Sequence, residues 1–411
     1  MIALLAALGT GACGAHAAAP PQVQIAGNHF VDGAGRTLRL IGTSAGIGSA
    51  EACTAPTYGE PHRVASHSVF YGPFDDATIA AIASWHINTV RVSINEDCWL
   101  GINPVRNLAN RIRVERGRGA SGAGARLAAR YRTTITDFIG RLHAAGMITI
   151  VDLHVTAPGR TVAFAQWPLP DASHSPAVWR SLVETFRDDR AMIFEVFNEP
   201  FDQKGQVTWE CLRDGCRLPN GCTDCNAPDA NTRGCSAKDC PTFRRPAGAY
   251  AAAGMQSLVN QIRSAGATQP LLAPGLAYSD DLSRWLEFRP VDPLGQLGAS
   301  FHWYTENAND QAGCTTVACW DQVIAPIASQ VPVVTTEFGQ FDCAHDRMDA
   351  YQEWADARGV SYLAFGWYAA DTPPCQIGLP TMIADDAGTP SSEGIGFHDH
   401  LATLAARGEL P

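Results

Sequence analysis

Two segments of the sequence carry a glutamate where chemistry could take place. "IFEVFNEP" (193–200) begins as an apolar run and ends with Asn198 and Glu199, and "VVTTEFGQ" (333–340) contains Glu337. A charge at the tip of a buried strand is costly to desolvate, so these carboxyl groups need a reason to be there. Paired carboxyl groups can cleave a glycosidic bond, because one protonates the departing oxygen while the other attacks or stabilises the anomeric carbon.

The two carboxyl groups are expected to differ in pKa, as an acid and a nucleophile must. Arg91 is a permanent cation that would hold Glu337 ionised. The negative charge of Glu337 would then raise the pKa of Glu199 and keep it protonated as a general acid. Glu195 lies deeper in the same apolar run, and we interpret it as a structural carboxylate.

The elements that must position these residues are eight β-type runs that alternate with amphipathic stretches. The runs lie at 38–46, 87–95, 147–155, 192–199, 271–276, 297–304, 332–339 and 361–368, with helices predicted at, for example, 75–86 and 131–146. Eight strand–helix units predict an α/β fold, a (β/α)8 TIM barrel. The segment 23–40 predicts an N-terminal β-hairpin turning at 32–33 that plugs the bottom of the barrel. The alternative is an open doubly wound sheet, but no G-x-G-x-x-G follows the first strand.

Polar or aromatic side chains finish six of the eight predicted strands, whose beginnings are apolar. The residues are Arg91, Asn95, His154, Asn198, Glu199, His302, Tyr304, Glu337 and Trp367. In a barrel, the C-terminal ends of the strands converge on the face that carries active sites. One such residue alone is more often a loop anchor, but the set as a whole predicts an active site.

The chain resembles glycoside hydrolase family 5, the retaining (β/α)8 cellulase-like hydrolases, over about residues 22–400. The most specific signs of this resemblance are "FNEP" and "TEFG", each of which lies at the end of the expected strand. The resemblance implies that Glu199 is the general acid/base and Glu337 the nucleophile. It also implies that Asn198 bonds the sugar 2-hydroxyl and that Arg91 orients the nucleophile.

The same resemblance assigns the residues around the sugar under attack. His154, His302 and Tyr304 would line its subsite, Tyr304 would touch the nucleophile, and Trp367 would be the platform beneath the sugar. The departure from the family is the long cysteine-rich segment that follows Glu199.

Further tryptophans bear on the substrate, because an exposed indole can stack on the apolar face of a pyranose. Those that follow or end barrel strands are Trp99, Trp167, Trp209 and Trp303, whereas Trp85 and Trp354 fall in helical patterns and are predicted to be core. Two or more of the first four in a cleft would imply an extended glucan, although packing under a loop is the commoner fate of a tryptophan.

The cysteines and the N-terminus indicate export. Residues 1–17 end in an A-x-A pattern typical of a signal peptide, which leaves 18–411 as a single catalytic domain. Twelve cysteines follow Cys13, an even number that favours disulfides in a secreted protein. Six of them lie at 211–240, within a predicted insertion at 203–245, where three bridges are expected, although Cys222 and Cys225 could instead open a zinc site.

Disulfides outside the insertion follow from the order of the barrel strands. Cys53 and Cys98 come after strands one and two, Cys343 and Cys375 after strands seven and eight, and neighbours on the rim can be bridged. Cys314 and Cys319 form a short local pair.

Composition limits the partners. The chain is 411 residues long, 46% hydrophobic and 17% charged, with a net charge of -11, so nucleic acid or an anionic membrane would be repelled. After the predicted signal peptide the sequence contains no run of 18 apolar residues, so no membrane-spanning helix is predicted. We expect a monomer that needs no cofactor or metal and acts on a β-glucan.

The leading hypothesis is a secreted endo-β-1,4-glucanase that works by double displacement. Another β-glycan, such as mannan, xyloglucan or a mixed-linkage glucan, is the alternative within the same enzyme class. A carbohydrate-binding barrel without catalysis and a metal-dependent hydrolase using His154, His302 and Glu337 are the alternatives from other classes.

Overall fold

The structure, a computed structural model, describes most of the chain. The described residues are 21–45, 75–102, 121–156, 158–159, 161, 163, 166–202, 205–219, 249–305, 313–369 and 380–410. The predicted signal peptide, Cys53, Cys375 and the pair Cys222 and Cys225 lie outside these ranges.

Eight parallel strands close into a barrel, which confirms the predicted fold class. In chain order the strands are β1 Gln24–Ala26, β2 His29–Val31, β3 Thr37–Leu38, β4 Ile41–Ser44, β5 Thr89–Asn95, β6 Ile148–Val155, β7 Met192–Glu195, β8 Arg217–Leu218, β9 Tyr250–Ala251, β10 Leu271–Ala273, β11 Leu297–Thr305, β12 Val333–Gln340 and β13 Ser361–Ala364. The barrel runs β4-β5-β6-β7-β10-β11-β12-β13 and closes through the pairing of β13 with β4. Six of the eight predicted runs contain one of these strands, and in the other two the strand, β11 or β12, extends one residue past the predicted end.

Helices follow most barrel strands. They are α1 Asp76–Ser84, α2 Glu96–Leu100, α3 Ser121–Ala144, α4 Ser175–Phe186, α5 Trp209–Asp214, α6 Met255–Ser264, α7 Trp285–Phe288, α8 Val317–Cys319, α9 Ala325–Ala328, α10 Asp346–Asp356 and α11 Gly394–Arg407, with a π-helical segment Trp320–Ile324 between α8 and α9. Within the described ranges, no helix combines the length and hydropathy needed to cross a bilayer.

Local sequence signals explain where the predicted helices begin and end. The Asp75 carboxylate accepts the backbone N–H of Thr78 and caps α1, which buries Ile79 and Ile82 against the barrel. The chain leaves α3 through Gly146, whose φ of 87° lies in the left-handed region that glycine adopts without strain. Helix α1 therefore lies within its predicted range, and α3 ends within its predicted range but begins ten residues earlier than predicted, at Ser121.

The predicted hairpin is part of a three-stranded antiparallel sheet of β1, β2 and β3. The β2–β3 turn falls at 32–36, as predicted, and a second turn at 27–28 joins β1 to β2. Phe30 belongs to a buried cluster with Ile148, Ile193 and Leu363, which lie in the barrel strands. The sheet therefore closes the N-terminal end of the barrel.

Register shifts interrupt the barrel pairing near its C-terminal face. Between β11 and β12, Phe301 pairs with Thr335 and His302 pairs with Glu337, so Thr336 is an extra residue on β12. Such a bulge re-aims side chains, and bulges are frequent beside active sites. Here it allows two consecutive side chains, those of Thr336 and Glu337, to face the interior of the barrel.

The tryptophans that were candidates for sugar stacking are all buried. Trp99, Trp167, Trp209 and Trp303 have at most 7% of their surface exposed. They pack under loops and helices, so they provide no evidence for an extended cleft. The prediction that Trp85 and Trp354 are core residues is confirmed.

Two disulfides are seen within the described residues, Cys314–Cys319, as predicted, and Cys211–Cys216 at the start of the cysteine-rich segment. Cys98 and Cys343 are also disulfide-bonded. The first part of the predicted insertion forms α5 and β8, and β8 pairs with β9 beyond it.

Candidate active site

Arg91, fully buried on β5, is the central cation of the C-terminal end of the barrel. Its Nε donates to Glu195 at 2.6 Å, Nη1 to Glu337 at 2.5 Å and Nη2 to Asn198 Oδ1 at 2.7 Å, and Asp152 Oδ2 lies 3.2 Å from Nη2. Burial alone would lower the pKa of Arg91, but these carboxylates outweigh it and raise that pKa. The structural role predicted for Glu195 agrees with its position against the guanidinium.

Glu337 accepts hydrogen bonds at both carboxylate oxygens. Oε1 accepts from Arg91, and Oε2 accepts the hydroxyl of Tyr304 at 2.6 Å. The contacts expected for Glu337 with Arg91 and Tyr304 are therefore both present. They fix the orientation of the carboxylate.

Glu199 occupies a different environment, 11% exposed at its side chain and in contact with His302 and Gln166. Its Oε1 lies 2.8 Å from His302 Nδ1, and Gln166 donates its side-chain amide to Oε2. Burial raises the pKa of Glu199 to about 6. We expected the charge of Glu337 to cause this rise, and desolvation is the main cause instead.

One carboxylate oxygen of Glu199 lies within 4.8 Å of one of Glu337, with a nitrogen of His302 within the same distance of both. Three such groups could also surround a metal ion. In this site, however, both nitrogens of His302 have hydrogen-bond partners, and Arg91 already supplies the cation beside Glu337. The donor set fits a pair of carboxyl groups better than a metal centre.

The pKa values of the two histidines are shifted in opposite directions. Burial lowers the pKa of His302 to about 4, so its ring is neutral at pH 7. Burial also lowers the pKa of His154, but the Asp152 carboxylate, 2.7 Å from its Nδ1, outweighs this and raises it above the ordinary value. Asp152 was not predicted, although its place two residues before His154 on β6 was a signal that both side chains share a face.

A turn after β10 holds the tip of β7 against β11. Ala277, Tyr278 and Ser279 all have positive φ, between 50° and 63°, which is unfavourable for residues other than glycine. Ser279 donates its hydroxyl to the carbonyl of Asn198 at 2.7 Å and accepts the backbone N–H of His302 at 3.0 Å. The strained turn thus fixes the distance between Glu199 and its histidine partner.

Trp367 is the one predicted site residue that the structure does not bring to the cluster. Its ring packs edge-on against Trp85 at 4.9 Å and contacts Gly388, between the barrel and its outer layer. Phe365 instead faces the site, with its ring 5.9 Å from that of Tyr304. Phe365 therefore packs beside Tyr304, which donates a hydrogen bond to Glu337.

Replacing Phe365 and Trp367 one at a time by leucine should distinguish a residue that contacts the sugar from one that packs in the core. Phe365→Leu is expected to lower kcat/KM on cello-oligosaccharides about fivefold, since a sugar–aromatic contact is worth roughly 1 kcal/mol, with little change in Tm. Trp367→Leu is expected to lower the free energy of unfolding by about 2 kcal/mol or more, since it leaves a cavity in the outer core. Steady-state kinetics and urea unfolding of both variants would test this. A loss of kcat/KM confined to Trp367→Leu would restore the original assignment.

A barrel with two carboxyl groups held in contrasting environments at its C-terminal mouth defines a glycoside hydrolase. The family model described as cellulase, glycosyl hydrolase family 5, matches residues 56–371. The chain belongs to this family. A comparison with curated proteins found no match.

Solved structures share the fold at low sequence identity. A β-glucanase from Saccharophagus degradans is 17% identical, with 94% of each chain covered and a TM-score of 0.57. The catalytic domain of an endoglucanase from Thermobifida fusca is 14% identical, with 93% of this chain and 97% of that chain covered and a TM-score of 0.51.

Proposed function

We propose that the protein is a secreted endo-β-1,4-glucanase that hydrolyses glucan chains with retention of anomeric configuration. The observation that carries the proposal is the pair Glu199 and Glu337, with oxygens within 4.8 Å of each other and with opposite hydrogen-bond environments. Retaining enzymes hold the two carboxyl groups about 5 to 5.5 Å apart, whereas inverting enzymes need about 6.5 to 9.5 Å to admit a water molecule.

In the first step, Glu337 attacks the anomeric carbon while Glu199 transfers its proton to the departing glycosidic oxygen. Arg91 and Tyr304 orient the attacking carboxylate through its two oxygens. Burial keeps Glu199 protonated at mildly acidic pH, and the product of this step is a covalent glycosyl-enzyme.

In the second step, the ionised Glu199 removes a proton from water, which attacks the anomeric carbon and releases Glu337. The sugar leaves with its original configuration because two inversions have occurred. The side-chain amide of Gln166 supports this step, since a donor to the Glu199 carboxylate favours its ionised form.

Asn198 supports recognition of a sugar hydroxyl. Its Oδ1 faces a guanidinium, which only donates, so the amide orientation is fixed. The amide nitrogen is consequently a buried donor that has no partner among the described residues. His154, Tyr304 and Phe365 would complete the subsite, with the phenyl ring as its apolar wall.

The choice of glucan as substrate rests on similar structures. The β-glucanase from Saccharophagus degradans has been solved with cellotetraose, and so has a variant of the Thermobifida fusca endoglucanase. A panel of carboxymethyl-cellulose, barley glucan, mannan, xyloglucan and xylan tests this choice. Fastest hydrolysis of carboxymethyl-cellulose, with a fall in viscosity ahead of reducing-end release, is expected, whereas preference for mannan or xyloglucan would reassign the substrate.

The pH dependence of kcat/KM should follow the titration of Glu199. Because the acid form is required and the pKa is about 6, kcat/KM should fall as pH rises through about 6. Gln166→Leu removes a hydrogen bond that favours the ionised form, so its alkaline limb should move to higher pH. Rate profiles of both proteins on an aryl cellobioside check this, and a wild-type limb above pH 8 would contradict the role of Glu199.

Secretion is proposed from the A-x-A pattern before residue 18 and the even number of later cysteines. Expression of the full chain in a bacterium with an oxidising periplasm, followed by N-terminal sequencing of the exported protein, tests it. A mature chain that begins near Ala18 is expected, and retention of the full-length chain in the cytoplasm would contradict it.

A further inference from the structure

Thr336 makes a contact that the glycosidase mechanism does not use. Its hydroxyl lies 2.7 Å from Glu195 Oε1 and 2.9 Å from His302 Nε2, and the other ring nitrogen of His302 lies 2.8 Å from Glu199. A continuous row of four polar groups therefore joins a buried carboxylate to the proposed acid/base. Thr336 reaches this position because it is the extra residue of the β12 bulge.

A hydroxyl has one proton to give, so its use at one end of the row determines the direction of every other bond. Glu195 accepts from Arg91 at its Oε2, a charge-assisted contact that favours the ionised carboxylate. The Thr336 hydroxyl then donates to Oε1 of Glu195. Its oxygen is left as an acceptor, and His302 must donate to it through Nε2–H.

The neutral ring of His302 has a single N–H, so Nδ1 carries a lone pair. The group beside Nδ1 is Glu199, at 2.8 Å, and it can complete the bond only as a protonated carboxyl that donates its O–H. The opposite tautomer would donate to Glu199 and favour its ionised form. The direction of the Thr336 bond therefore bears on which form of Glu199 exists before substrate is cleaved.

The other charged groups around this row do not compete for its bonds. Glu337 Oε2 is 3.8 Å from His302 Nδ1, beyond hydrogen-bond distance, and it accepts from Tyr304 instead. Glu195 Oε1 is 4.0 Å from His302 Nε2, so the two groups communicate through Thr336.

Burial lowers the pKa of His302, and the nearby Arg91 and His154 lower it further. On the side of Glu199, Arg91 and His154 lower its pKa, as does Gln166, whereas Asp152 raises it. Burial raises the pKa of Glu195, and the adjacent guanidinium opposes that rise.

We propose that Thr336 is a positioning residue that, together with Glu195, holds His302 in the Nε2–H tautomer, so that Nδ1 accepts a proton from Glu199 and keeps it in the acid form. The proposal rests on the proposed role of Glu199 as general acid/base. It assigns a function in catalysis to a side chain that touches neither the nucleophile nor the sugar.

The tautomer can be measured without any turnover. In the full chain labelled with 15N-histidine, the His302 ring signals, identified by their loss in His302→Asn, should show a protonated Nε2 and an unprotonated Nδ1 at pH 5, where Glu199 carries its proton. Wild-type signals of the Nδ1–H tautomer or of an imidazolium would overturn the proposal, whatever substrate the enzyme cleaves.

Variants at two adjacent threonines provide the matched comparison. Thr336→Val removes the acceptor of Nε2–H and should populate the Nδ1–H tautomer, whereas Thr336→Ser should keep the wild-type tautomer. Thr335→Val is the control, because the Thr335 hydroxyl contacts Tyr351 on the outer face of the barrel. An unchanged tautomer in Thr336→Val, or an equal change in Thr335→Val, would contradict the proposal.

The catalytic consequence is a shift in the pH profile rather than a uniform loss of rate. In Thr336→Val the alkaline limb of kcat/KM on an aryl cellobioside should move about one pH unit lower, because the ionised form of Glu199 gains a donor. Thr336→Ser and Thr335→Val should keep the wild-type limb. A fall in kcat with an unmoved limb would mean that Thr336 is only structural, and absence of activity in the wild type, with the expected NMR result, would count against the proposed function alone.

Discussion

Replacing Glu337 by alanine is expected to lower kcat on cello-oligosaccharides by about 10,000-fold or more, because no other group could form the covalent intermediate. The rest of the site would remain in place, since Arg91 and Tyr304 lie on other strands. Binding of cellotetraose should therefore be largely retained. Measurement of kcat together with calorimetric titration of the inactive variant separates the loss of chemistry from a loss of binding.

A small external nucleophile gives the sharper form of this test. Azide can enter the space left in Glu337→Ala and attack an activated aryl cellobioside from the face that the carboxylate used, so a glycosyl azide of inverted configuration is expected. Glu353→Gln, a change at an exposed glutamate on α10, serves as the control and should keep wild-type kcat. Residual turnover above about one per cent in Glu337→Ala would assign the nucleophile elsewhere.

Replacing Arg91 by methionine is expected to lower the free energy of unfolding by about 3 to 5 kcal/mol at pH 7. The guanidinium contacts the carboxylates of Asp152, Glu195 and Glu337, all at most 5% exposed at their side chains. Methionine would fill part of the volume but would leave three carboxylates close together without the guanidinium that they share. Urea unfolding at pH 7 measures the loss.

The same loss should depend on pH in a way that a simple packing defect would not. As pH falls, protonation of the unpaired carboxylates removes their repulsion, so the difference between Arg91→Met and the wild type should shrink. Arg141→Met is the matched control, because its partner Asp76 is 88% exposed at its side chain and a surface pair contributes at most about 1 kcal/mol. A difference that stays constant from pH 7 to pH 4 would argue against the charge explanation.

The barrel was predictable because its strands are short apolar runs with polar tips. Each run had to be buried, and the tips had to emerge where the strands end, so Arg91, Glu199 and Glu337 could be assigned to one face before any contact was known. The central contacts of Arg91 with Glu337 and Asn198 follow from that geometry. The chemistry of paired carboxyl groups then limited the possible functions.

The position of Trp367 was not predictable from the same pattern. Strand β13 ends at Ala364, and the side-chain alternation that applies within a strand has no force beyond it. Which aromatic side chain reaches the site therefore depends on the path of the chain after the strand. Trp367 was assigned as the sugar platform through the family resemblance, but the size of its indole also suits the outer core, where it packs against Trp85.

The alternation of side chains between the two faces of a strand is also interrupted within β12. A regular strand would point Thr336 and Glu337 to opposite faces, yet the register shift brings both inside. The one residue in "VVTTEFGQ" that is typical of a bulge is Gly339, three positions after Thr336, so the sequence does not indicate a bulge at Thr336. Gln166 was missed because it lies outside any predicted strand or helix, and only the fold brings it to Glu199.

The left-handed turn at 277–279 holds Glu199 in place independently of the length of the segment that follows Phe201. It ties the backbone at Asn198 and Pro200 to the end of β10, and Tyr278 stacks on Phe201, the residue at which the chain leaves the catalytic tip. Lengthening the chain beyond this anchor need not displace Glu199. Evolution could therefore rebuild the segment after Phe201, and with it the shape offered to different polysaccharides, while inheriting the reaction unchanged.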